Sequence, residues 1–189
     1  MRKLLYAFDL TSALVFALAA HAAAPNFAGT WTLDKSKSQG LNPRLQNAES
    51  VSWVITQTDK EITVDEKITG GGGPGGGAPS AGGPPPGGQG GGGGRGMMGP
   101  MGPRTYNLDG SETTGETGRG KFARKATMSS DGKTLDLVTK STFQTQDGSE
   151  VTITSSDKLS LSADGKVLMV VRHSESPRGA QDSTMVFNK

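Results

Sequence analysis

Cysteine is missing from this 189-residue chain. With it go disulfide bridges, thiolate metal sites, a cysteine nucleophile and any lipid-bearing cysteine. Histidine occurs only as His21 and His173, and His21 falls in a segment read below as a leader. One remaining histidine cannot form His–His metal pairs, and a Ser-His-Asp triad would have to be built on it. Calcium-loop spacing is also absent, so no catalytic set, metal site or cofactor is expected. Charge of one sign is not in excess: 20 basic against 18 acidic side chains give +2. Phosphate recognition needs a clear basic surplus, which argues against nucleic acid as the main partner. Aromatics are scarce at 5%, and beyond the leader they reduce to Phe27, Trp31, Trp53, Tyr106, Phe122, Phe143 and Phe187.

Two stretches depart from the rest. Arg2 and Lys3 precede an apolar run from Leu10 to Ala20, followed by the small-x-small signature Ala20-His21-Ala22. That order reads as a signal peptide, residues 1–22, and predicts an exported, periplasmic or extracellular protein. The run is too short for a hydrocarbon core of ~30 Å, which needs ~20 helical residues, so no stable membrane span is expected after its removal. The second stretch, Gly70–Pro103, holds 19 of the 29 glycines and 7 of the 10 prolines. It cannot bury apolar surface and is expected to be a disordered insertion in a single domain over 23–189. Long surface loops are tolerated because closure entropy rises only logarithmically with length.

The remainder alternates with a period of two. Val51, Trp53 and Ile55 share one face of a strand; so do Leu135 and Leu137, Val151 and Ile153, Leu159 and Leu161. Such alternation means sheet with one buried face. Asp109-Gly110, Asp131-Gly132, Asp147-Gly148 and Asp164-Gly165 mark turns, since Asp-Gly accepts the positive φ of tight hairpins. Ser129 to Val138 (SSDGKTLDLV) echoes Ser162 to Val171 (SADGKVLMVV) at an offset of 33 residues. The expected fold is all-β: an antiparallel up-and-down meander of about 8–10 strands. Closure into a barrel removes unpaired edges, and a two-sheet sandwich is the alternative.

Among polar residues, Arg124 shares strand parity with Phe122, Ala126 and Met128, and Arg172 with Leu168 and Val170. An inward arginine must either reach water at the rim or be satisfied by a partner or ligand. Arg124, Arg172, Trp53 and Phe122 are therefore the candidate ligand-binding residues, and binding there calls for a cavity on the order of a few hundred Å3. His173 is expected on an outer face, and the turn aspartates are expected to cap their own turns.

Asn26-Phe-Ala-Gly29-Thr-Trp31-Thr-Leu resembles the Gly-x-Trp opening strand of the calycin barrels, the lipocalins and fatty-acid-binding proteins. The likeness is strongest to exported bacterial lipocalin-like proteins of unknown role. It implies that Gly29 and Trp31 close one end of a barrel, with an arginine such as Arg172 lying across Trp31. In the fatty-acid-binding group an Arg-x-Tyr pair on the last strand holds a carboxylate; the matching positions here are Met185 and Phe187. The helical lid of that group would fall between Ser36 and Glu49, where Pro43 and Gly40 leave room for one or two turns. The resulting expectation is a lipocalin-like binding protein, not an enzyme, for a small apolar or amphipathic molecule. The alternative is a non-catalytic structural or interaction module of the cell envelope that uses the glycine tract for contact.

Overall fold

The computed structural model describes residues 25–70, 102–117, 120–145 and 147–189. The leader and nearly all of the glycine tract lie outside the described residues. Ten strands and one short helix follow in order: β1 (Gly29–Leu33), α1 (Pro43–Asn47), β2 (Ala48–Gln57), β3 (Glu61–Gly70), β4 (Arg104–Asn107) and β5 (Thr113–Thr117). Then come β6 (Gly120–Met128), β7 (Thr134–Gln144), β8 (Glu150–Leu161), β9 (Val167–Ser176) and β10 (Gly179–Asn188). All ten belong to one antiparallel sheet in the order β4-β3-β2-β1-β10-β9-β8-β7-β6-β5. The two outermost strands, β4 and β5, lie against each other, and β4 also meets β6, so the sheet curls into a nearly closed barrel.

Turn chemistry sets the strand lengths. Gly132 and Gly165, both at φ +67°, occupy the same position in the two echoed hairpins. In each copy the aspartate accepts from the backbone two residues on, Lys133 or Lys166, at 3.1 Å. In each, the leading serine accepts from the strand that follows, Ser129 from Thr134 and Ser162 from Val167. The repeat in sequence is thus a repeat in hydrogen bonding. Between β1 and β2, Asn42 caps α1 by accepting from Leu45 N at 3.0 Å, with Pro43 opening the helix. A single five-residue turn, buried through Leu45, stands where the resemblance implied a lid.

Alternate residues of each strand point inward and meet in one core. Trp31, Trp53, Ile62, Leu159, Leu168, Val170, Met185 and Phe187 are wholly buried there. Trp31 donates through Nε1 to the Phe27 carbonyl at 2.8 Å, which satisfies its polar atom as burial requires. The cation across its ring is Lys189, 5.2 Å from the centroid, and not Arg172 as the resemblance implied. Gly29 stands beside that lysine, with Lys189 Cε occupying the space a β-carbon would need.

Candidate functional site

Cross-strand register stacks the inward residues of β5 to β10 in layers. Met128, Leu135, Leu159, Val170 and Met185 form the first. Ala126, Leu137, Asp157, Arg172 and Ser183 form the second. The third runs Thr113, Arg124, Thr139, Ser155, Ser174 and Gln181. Gly115, Phe122, Ser141 and Ile153 make the fourth. The first layer is apolar and, apart from Met128, fully buried, whereas most side chains of the third and fourth are half-buried. The barrel is therefore closed and apolar at the first layer, polar in the third, and more accessible but again partly apolar beyond it, at Phe122 and Ile153.

Asp157 anchors the second layer. It is 2% exposed and accepts two bonds from Arg172, Nε to Oδ1 at 2.6 Å and Nη2 to Oδ2 at 2.9 Å. Arg104 of β4 approaches the same carboxylate from the opposite wall, Nη1 to Oδ2 at 3.9 Å. Both guanidinium groups lie near the ring of Trp53, Arg172 at 5.5 Å and Arg104 at 5.8 Å from the centroid. Phe187 packs against that ring at 5.0 Å. Burial pulls the Arg172 pKa down, but the Asp157 charge, its hydrogen bonds and the nearby Glu66 raise it above its ordinary value. Forked pairing of this kind is what lets a charged group remain inside a barrel.

A second group lies on β5 and β6. The Arg124 guanidinium sits 4.0 Å above the Phe122 ring, and that ring lies on Gly115, where a β-carbon would come within 2.5 Å of Phe122 Cζ. Burial lowers the Arg124 pKa, as does the like charge of Arg104, with Tyr106 opposing. Tyr106 bridges the two walls, its hydroxyl 2.8 Å from Thr139 Oγ1. The structure thus joins Trp53 to Arg172 and Phe122 to Arg124, in two neighbouring groups linked through β4.

Sequence reasoning missed three participants. Asp157 stands two residues before Leu159 and shares its parity, a usable signal. Arg104 and Tyr106 lie on a four-residue strand directly after the glycine tract, too short for alternation to be read. They nonetheless form an Arg-x-Tyr pair, the pattern that β10 lacks. Beside α1, a cavity of about 230 Å3 among the described residues is lined by Lys35, Ser38, Gly40, Leu41 and Gln46, apart from the group around Trp53, Phe122 and Arg172. Trp53 is clasped by Phe187 and two arginines, and the edge of the Phe122 ring reaches over Gly115.

His173 lies on the outer face, Nδ1 2.6 Å from Asp182 and Nε2 3.2 Å from Glu175. Those hydrogen bonds, Asp182 first, raise its pKa above 6.5. Among the described residues there is no cluster of His, Asp and Glu suited to a metal, and no helix long and apolar enough to cross a membrane.

No protein-family model matches the chain, and no curated protein matches its sequence. Among solved structures it is similar to zebrafish ileal bile acid-binding protein complexed with cholic acid, at 13% identity and a TM-score of 0.44. That alignment covers 86% of this chain and 98% of the other.

Proposed function

We propose that the protein is an exported, non-catalytic binding protein that holds a small apolar or amphipathic molecule in the open half of its barrel. The observation that carries this reading is the grading of the interior lining, from the closed apolar first layer to a half-buried polar third layer and a half-buried fourth that sets Phe122 and Ile153 beside Ser141. Interiors that serve only as cores bury apolar side chains throughout, because each unsatisfied polar group inside is a cost. Barrels of this size can enclose one small ligand. The leader features of residues 1–22 support export, and the position of His173 on the exposed outer face, away from the barrel interior, supports a non-catalytic role.

Titration with the neutral dye Nile red tests it. One saturable site with blue-shifted emission is expected, and Ile153→Trp, which fills the fourth layer, should abolish it while circular dichroism stays unchanged. Absence of saturable binding, or binding indifferent to Ile153→Trp, would overturn the reading.

A further inference from the structure

Charge inside the barrel does not balance. Among the described residues the inward charged groups are Arg104, Arg124 and Arg172 against Asp157 and Glu66. Asp157 holds two of the guanidinium groups directly, and Glu66 acts on Arg172. Arg124 faces no acid: its electrostatic neighbours are Tyr106 and another cation, Arg104. One positive charge is left over, and it sits in the third layer.

The same spot has unmet hydrogen-bonding capacity. Arg124 Nε is buried without a partner, and so is the hydroxyl of Thr113, its cross-strand neighbour. Two orphaned polar groups on one strand pair are unusual, since buried donors and acceptors nearly always find partners. A guanidinium edge and a hydroxyl together match an oxygen anion, which accepts from both. Phe122, stacked under the guanidinium, places an apolar ring next to the charge, and Ile153 lies in the same layer of the lining.

We infer that Arg124 and Thr113 hold the anionic oxygen group of a singly charged ligand, whose apolar part lies along Phe122 and Ile153. This rests on the binding function proposed above and deepens it by naming the ligand's charge. The site is distinct from the last-strand position where the calycin resemblance would look for a clamp, because Met185 and Phe187 there are buried and apolar. An incoming anion takes up the surplus charge without disturbing the Asp157 fork.

Calorimetric titration of the full chain with decanoate, decanol and acetate at pH 7.5 separates the possibilities. Decanoate should bind tighter than decanol by about tenfold or more, as the alcohol brings no negative charge to pair with the guanidinium. Arg124→Met should weaken decanoate about 10- to 100-fold and Thr113→Val about tenfold or less, and Arg124→Met should weaken decanol far less than decanoate. Arg124→Lys should recover part of the loss. Acetate binding as tightly as decanoate would overturn the apolar contact along Phe122 and Ile153 and reduce the site to one for a small free anion. Equal binding of decanoate and decanol, or decanoate binding unchanged in folded Arg124→Met and Thr113→Val, would overturn the inference while leaving interior binding intact. Failure of all three probes, together with Nile red, would overturn both.

Discussion

Arg172 and Arg124 occupy successive layers of one barrel interior, and their surroundings differ in kind. Around Arg172 the charge is paired: a forked carboxylate, a second guanidinium sharing it and an indole alongside, whose own Nε1 is buried without a partner. Around Arg124 there is an aromatic ring and two unpartnered polar atoms. The first arrangement pairs its charges and holds β4, β8 and β9 together. The second leaves a cation without an acid, with two polar atoms of one strand pair open beside it. The contrast separates scaffold from site within a single cavity wall, by bond accounting and without reference to conservation.

Breaking the first group should have the largest effect. Asp157→Ala strands two interior cations and is expected to lower stability by about 3–5 kcal/mol in urea unfolding. A loss below about 1 kcal/mol would mean that the fork is not what holds those strands. Tyr106→Phe, which removes the bond to Thr139 across the barrel, should cost about 1–2 kcal/mol by the same measurement. Arg124→Met sharpens the comparison from the other side. Its charge has no acid to lose, only the stacking on Phe122, so stability should fall by no more than about 1 kcal/mol; a loss like that of Asp157→Ala would remove the contrast between the two groups.

The smallest effect concerns the outer face. The folded His173 pKa is raised by Asp182 and Glu175, so the folded state binds this proton more tightly than the unfolded chain does. The resulting stabilisation of the β9–β10 hairpin is full below about pH 6.5, the ordinary histidine value, and disappears as pH rises through the folded value. Asp182→Asn should move the His173 midpoint, followed by NMR, back toward 6.5. An unmoved midpoint would remove Asp182 as its cause.

Much of the fold was legible because its signals are local. Asp-Gly pairs and alternation over five or more residues fixed β7, β8 and β9, and the echo of Ser129 in Ser162 foretold a repeated turn. The outward position of His173 also followed from parity. The candidate site was less legible, since its decisive relations join distant strands. Nothing near Arg172 in sequence says that Asp157 will face it, or that Arg104 will arrive from across the barrel. The resemblance pointed to Trp31 for Arg172, but the register places Trp53 there and leaves Lys189 over Trp31. Arg124 and Phe122 shared a predicted face, but the empty bonds of Arg124 and Thr113 become visible only when every neighbour is in place.

The order of the sheet carries one more consequence. Each ladder but one joins strands that follow each other in sequence, and the exception pairs β1 with β10, with Thr32 opposite Asn188. Linking residue 189 back to residue 25 and opening the chain at 108–112, between the outermost strands, would yield a permutant running from β5 through β10 and β1 to β4. Every pairing would then be between sequence neighbours. The rearranged polypeptide would make the β1–β10 ladder local and turn the contacts of β4 with β5 and β6 into the distant closure, so comparing its refolding rate with the parent's tells which of the two seams limits folding.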